Sequence, residues 1–191
     1  MTISTPRDAL VHGLASALEA VPALAGVRVY RGWPADESFD LPAISVSASS
    51  GVTSKRSTNV YRETLILGSG TVETLYETER RTFNGSVELW AESKTIREPL
   101  ELAVDALFAG IKPNDLGFLE PPPPGIELVL ANLYDAKVRV RLVDVTEQDA
   151  SGGRDGYVRT VFSFSCDVPY LVRMEHNPAN WSHTATVTDT E

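Results

Sequence analysis

The chain is poor in the residues from which most reactive sites are built. It has one cysteine, Cys166, so no disulfide forms within it. That usage suits a reducing compartment. Histidine is nearly as scarce, with only His12, His176 and His183. No run of about eighteen apolar residues occurs, so no helical membrane span is expected. The opening MTISTPRDALVHGL lacks a basic stretch followed by an apolar core, so no signal peptide is expected. GxSxG, HExxH, a glycine-rich phosphate loop and CxxC are all missing. Positive charge is short as well: 17 Lys and Arg stand against 26 Asp and Glu, a net charge of −9. Such a surface does not recruit nucleic acid by counterion release. It keeps the protein soluble, and it would also suit a surface that DNA must pass without sticking.

What is present begins with TFNGSVELWAESKTIREPLELAVDALFAGI, residues 82–111. Its first ten residues alternate. Phe83, Gly85, Val87, Leu89 and Ala91 share one side, and Asn84, Ser86, Glu88 and Trp90 the other. That is the period of a strand with one buried face. The period then changes. Ile96, Leu100, Ala103, Val104, Leu107, Phe108 and Ile111 fall on one helical face, which leaves Glu98, Glu101 and Asp105 on the wet one. Pro99 is expected in the first turn, where its missing N–H costs nothing. The spacing predicts a helix over 94–111, folded back over the strand's apolar face.

The remaining elements add to this unit within one domain, as expected for 191 residues. Thr5 and Pro6 open a helix over 7–21, as cap and first helical residue, with Leu10, Leu14, Ala17, Leu18 and Val21 as its stripe. Short strands are expected at 27–31 and 43–49, where Ile44, Val46 and Ala48 alternate with serines. SSGVTSKRSTN, residues 49–59, reads as a loop. Two β-prone runs around Gly68-Ser69-Gly70 predict a protruding hairpin whose second strand runs on into residue 82. Four prolines, Pro121 to Pro124, make a stiff spacer. Strands follow at 126–131, 135–145 and 157–168. Lys137, Arg139 and Arg141 share one face of the second of these. The polar connection 146–156 precedes the last strand, and Pro169 marks its end. Residues 174–191 have too few apolar groups to bury, so they read as a flexible or partner-ordered arm after a 1–173 domain. The overall expectation is an α+β fold. A mostly antiparallel sheet carries two helices on one face, with the hairpin and the C-terminal arm extending from it.

Candidate chemistry is thin. His176 and His183 would need a carboxylate and an ordered tail to hold a metal. Cys166, mid-strand, reads as a buried structural thiol. The carboxylates of the second helix read as a solvated face. Asp149, Ser151, Gly153 and Asp155 miss the calcium-loop spacing. No catalytic residue, metal or cofactor is therefore expected, and an enzyme or small-molecule binder is the weakest reading.

The order of elements carries a resemblance. A first helix precedes Val-Tyr-Arg-Gly and Leu-Pro-Ala-Ile-Ser-Val. A hairpin then leads to Gly-Ser-Val-Glu-Leu-Trp-Ala and the helix Arg-Glu-Pro-Leu-Glu-Leu-Ala-Val, and the chain closes on Val-Phe-Ser-Phe-Ser-Cys-Asp-Val. From Ala9 to Val172 this resembles the tail terminator proteins of tailed bacteriophages, and more loosely their minor tail, neck and head-completion proteins. The resemblance implies a structural virion protein, assembled in the host cytoplasm. It would form a ring, commonly a hexamer, that caps the tail tube, stops its polymerisation and meets the head connector. Its partners would be copies of itself, tail tube protein and connector or neck proteins, with DNA passing through the lumen without specific binding and no membrane involved. On that reading Tyr61, Arg62, Leu65, Leu67, Val72, Leu75 and Tyr76 of the hairpin and Trp181 of the arm are interface candidates. Asp36, Glu37, Asp40 and Asp149 are candidates for lining the channel. A connector forming a ring of twelve is the rival.

Overall fold

A computed structural model describes residues 5–32, 40–66, 72–110, 124–149 and 157–176. For residues 53–66, 72–73, 132, 149 and 173–176 it describes the backbone alone. Seven strands form one sheet: β1 (Arg28–Arg31), β2 (Ala43–Ala48), β3 (Val52–Ile66), β4 (Val72–Ala91), β5 (Ile126–Leu130), β6 (Ala136–Asp149) and β7 (Val158–His176). The order is β1-β2-β4-β7-β6-β5, with β3 also on β4. Only β1 and β2 run parallel; the other pairs are antiparallel. The α+β fold with both helices on the sheet is therefore as expected.

The long strand β4 sets the plan. Toward its end, from Gly85 to Trp90, it pairs with β2, and from Val72 to Thr82 it pairs with β3. Along the other edge β7 accompanies it throughout, from Val72 opposite His176 to Ala91 opposite Val158. Phe83, Val87, Leu89 and Ala91 are buried, as their alternation predicts, and so are Thr160, Phe162, Phe164 and Cys166 of β7. On β6, Ala136, Val138 and Val140 are buried.

Two helices cover this face. In α1 (Pro6–Glu19) Pro6 begins the helix, and the Asp8 amide donates to Thr5 Oγ1 at 3.2 Å, which satisfies one of the unpaired N–H groups of the first turn. Leu10, Leu14 and Leu18 are fully buried. In α2 (Lys94–Phe108) the cap is Ser93, whose Oγ accepts from the Ile96 amide. Val104 and Phe108 are buried, and the Phe108 ring stacks on Phe162 with centroids 6.1 Å apart.

Four expectations change. First, 49–59 is not all loop, because β3 starts at Val52. Arg56 pairs with Glu79 and Val60 with Glu77, so Ser57, Thr58 and Asn59 stand opposite the single residue Thr78 in a bulged ladder. Their turn-like composition marks an irregular strand. Second, β6 continues through Thr146 to Asp149, paired with β7. Third, β7 does not end at Pro169 but runs to His176. Past Cys166 it has β4 alone as a described neighbour, and an edge strand tolerates a residue without an N–H. Fourth, α2 sets Leu100, Ala103, Val104, Leu107 and Phe108 against the core as expected, but its first turn differs. Ile96 is exposed while Arg97 is buried, and Pro99 lies inside the helix, where the Thr95 carbonyl loses its usual N–H partner. Ile111 lies outside the described residues.

Candidate assembly surfaces

The apolar core ends on β4 at Phe83 and on β7 at Val168, with Tyr170 and Leu171 packed at its rim. Beyond it the sheet narrows to a three-stranded arm of β3, the first half of β4 and the last part of β7. The hairpin candidates lie here. Tyr61 pairs with Tyr76, Leu65 with Glu73, and Val72 with both Ile66 and His176. Arg62 is the extra residue of a bulge, since Tyr61 and Glu63 face the consecutive residues Tyr76 and Leu75. Leu75 is buried within the single subunit and Tyr76 is half-buried. Leu67, Trp181, Asp36 and Glu37 lie outside the described residues. Asp40 is exposed, with its carboxylate 3.7 Å from Arg28 Nη1. Asp149 ends β6 opposite Val158, at the start of β7.

The root of the arm is a polar knot. A bulge between Glu77 and Glu79 breaks the β4–β7 register, and Thr78 Oγ1 donates to the Tyr170 carbonyl at 3.3 Å. Glu77 is buried and is gripped by Arg80 through two hydrogen bonds, Nε–Oε1 at 2.9 Å and Nη2–Oε2 at 3.0 Å. A fork of this kind is among the stronger ionic contacts, and a buried carboxylate needs it. The Glu77 bond, and after it the charge of Glu77, holds the Arg80 pKa above its ordinary value despite partial burial. Arg81 pairs with Glu79 at 2.6 Å and lies over the Tyr170 ring, 4.3 Å from its centroid. Thr82 Oγ1 donates to Asp167 at 2.6 Å. The run Glu77-Thr78-Glu79-Arg80-Arg81 was the only sequence signal for this knot, and a charge run reads equally well as a solvated face.

On the far side, β6 and β7 part after the Val140–Cys166 pair, because the start of β6 turns to β5 instead. A cavity of about 500 Å³ opens in this fork. Its walls carry Arg80, Lys137, Arg139, Arg141 and Asp167. Arg139 is held by Glu127 at 3.1 Å. Lys137 and Arg141 have no carboxylate within ion-pair distance among the described residues. The stripe expected from β6 is therefore a basic wall in an acidic protein.

Cys166 lies at the floor of the fork and is buried. Burial first, then the neighbouring Asp167, pushes its pKa from 9.0 up to about 12. The folded value is the higher one. This group's contribution to stability is thus complete below pH 9 and falls as pH rises toward 12. Titrating unfolding free energy over that interval should show a shallower decline in Cys166→Ala than in the parent chain. A thiol reagent at pH 8 should leave the native chain unlabelled and modify it fully in denaturant; rapid labelling of the folded chain would contradict the burial.

The second helix holds a further buried charge. Arg97 Nε stands 3.2 Å from Glu101 and its Nη2 2.5 Å from Glu147 of β6, while Thr160 Oγ1 donates to Glu101 at 3.1 Å. Glu101 therefore does not lie on a solvated face with Glu98 and Asp105, as expected, but ties α2 to two strands. On the opposite face Arg159 sits over the Trp90 ring and 3.4 Å from Glu88, and Trp90 meets Tyr157 edge-on. Among the described residues no group of three or more His, Cys, Asp and Glu has the geometry to hold a metal ion.

No protein-family model and no curated protein matches this chain. Among solved structures it is similar to a chain from the virion of a native gene transfer agent particle. The two are 15% identical, the match covers 84% of this chain and 95% of the other, and the TM-score is 0.38. Likeness at that level says nothing by itself about what this chain does.

Proposed function

We propose that this protein is a ring-forming structural subunit of a tailed virion, a tail terminator that caps the tail tube and joins it to the head connector. The observation that carries the reading is the arm. β3, β4 and β7 leave the helix-covered core together, and the outer edges of β3 and of the last part of β7 have no neighbour among the described residues. Exposed edges of this length are unusual in a protein that stays alone, because they pair readily with other chains. A repeated contact of that heterologous kind closes into a ring when the rotation allows it. Tyr61, Arg62, Leu65, Leu67, Val72, Leu75 and Tyr76 would then meet the next subunit, with Trp181 beside them. Asp36, Glu37, Asp40 and Asp149 would add negative charge to a lumen that repels DNA phosphates. The resemblance of the element order to that of tail terminators adds to this reading.

Light scattering over a concentration series tests it. A species near six subunits, formed alone or on adding tube protein, is expected. Excising residues 61–76 and joining Val60 to Glu77 with Asn-Gly uses the native register and leaves the core strand untouched. That variant should melt close to the parent yet assemble at least a hundredfold more weakly. Unchanged assembly would remove the hairpin from the interface. A parent that stays monomeric with tube protein present would end the terminator reading, and a twelve-subunit ring would point to the connector.

A further inference from the structure

Lys137, Arg139 and Arg141 alternate with the buried Ala136, Val138 and Val140, so they stand on the face of the sheet opposite the two helices. The fork of β6 and β7 gathers them there with Arg80, four cations against the two carboxylates Glu127 and Asp167, in a chain of net charge −9. Arg80 and Arg139 are engaged by Glu77 and Glu127. Lys137 and Arg141 are exposed and meet no carboxylate within ion-pair distance among the described residues. Val138, Leu142 and Val143 give the cavity its apolar lining, and Val143 is 65% exposed. The other side of the molecule carries the complement. Along α2, Thr95, Glu98, Leu102 and Asp105 recur at i, i+3, i+7 and i+10, which is one stripe of the helix, and all four are exposed. Leu102, between the two carboxylates, is 70% exposed. From Glu98 to the end of α2 no Lys or Arg occurs.

We propose that the fork of one subunit receives the α2 stripe of a second copy, with Glu98 and Asp105 meeting Lys137 and Arg141 and Leu102 entering the cavity. This contact rests on the ring reading and adds a second surface to the arm. Spacing supports it. Seven residues of helix set Glu98 and Asp105 about 10 Å apart. Four residues of strand set Lys137 and Arg141 about 13 Å apart, a difference that long basic side chains absorb. Charge selects the occupant. Two copies that each carry −9 repel, so they associate best where a cationic surface of one meets a carboxylate-bearing surface of the other. Placement sets the symmetry. The stripe and the fork lie on opposite sides of one subunit, so they do not meet within one chain. Between copies the contact is head-to-tail, the kind that repeats and closes into a ring.

Charge reversal tests it. Lys137→Glu with Arg141→Glu makes a chain whose fork repels the stripe. Glu98→Lys with Asp105→Lys makes one whose stripe repels the fork. All four side chains are exposed, so both chains should melt close to the parent. Light scattering at matched concentration, with tube protein where the parent needs it, should show each reversed chain associating roughly tenfold or more weakly than the parent. An equal mixture of the two should recover parental association, because each fork then finds a stripe of opposite charge. A chain carrying all four substitutions should recover it too. Reversed chains that assemble as well as the parent would overturn the contact and leave the terminator reading standing. Weakened association that neither the mixture nor the fourfold chain restores would overturn it as well. A parent that stays monomeric with tube protein present would end the terminator reading and this contact with it.

Discussion

Gly85→Ala should destabilise the protein by about 3 kcal/mol or more, a large loss for one methyl group. Gly85 lies on β4 between Ala48 of β2 and Phe164 of β7, on the buried side of the sheet. A Cβ there would stand 2.2 Å from the Ser47 carbonyl oxygen, 2.5 Å from Phe164 Cζ and 3.0 Å from Ala48 Cα. Two of those atoms are backbone in a paired strand, and the third belongs to a ring that is itself buried. None can yield without moving a strand or emptying the core. For a domain of this size the melting temperature should fall by roughly 6–12 °C. Gly13→Ala is the contrast. Its Cβ meets only side-chain tips of β5, nearest Leu130 Cδ2 at 3.0 Å, and it gains up to about 1 kcal/mol of helix propensity. If Gly85→Ala melted within two degrees of the parent, roughly the spread of a melt, the close approach of β2, β4 and Phe164 would be wrong.

Arg97→Ala should cost about 3 kcal/mol. The guanidinium is almost fully buried and bridges Glu101 of its own helix to Glu147 of β6. Glu147 is half-exposed and can return to water, so its loss is small. Glu101 cannot follow, because its carboxylate also accepts from Thr160, which is wholly buried. Truncating Arg97 therefore leaves a partly buried carboxylate without its cation, together with the space of a long side chain. Glu101→Gln alone should cost less, and adding it to Arg97→Ala should recover at least about 1 kcal/mol, the sign of direct coupling. Urea denaturation of the four chains measures this. A loss below 1 kcal/mol for Arg97→Ala, with no coupling, would mean that α2 is held by Val104 and Phe108 alone.

These two sites also show what was legible in the sequence. Phe83 to Ala91, Ala136 to Val140 and Val158 to Cys166 alternate cleanly because each has one face under a helix and one without. Pairing with a covered neighbour is what writes period two into a strand. Val52 to Asn59 and Thr146 to Asp149 have the composition of a loop although their backbone is laddered. On α2 the spacing located Leu100, Ala103, Val104, Leu107 and Phe108 but not the first turn. There Ile96 is exposed and Arg97 buried, because Glu147, fifty residues away, supplies the partner that makes a buried guanidinium tolerable. The hairpin was legible as two β-prone runs around Gly68-Ser69-Gly70. The knot of Glu77 and Arg80 at its root was not, because a bulge decides which way those side chains point.

The unbroken course of β4 has a mechanical consequence. Twenty residues of extended chain span about 65 Å, and the stretch from Gly85 to Trp90 is anchored between β2 and β7 inside the core. The arm is thus a cantilever rather than a tethered flap. A load applied at its tip along the strand is resisted in shear, by many backbone bonds of the β4–β7 ladder at once, instead of peeling them one after another. A sideways load concentrates at the Glu77–Glu79 irregularity, where the ladder is interrupted and the Arg80 clamp is the brace. Bending resistance at the root therefore falls to side chains, the Glu77–Arg80 fork together with Arg81–Glu79 and Thr82–Asp167.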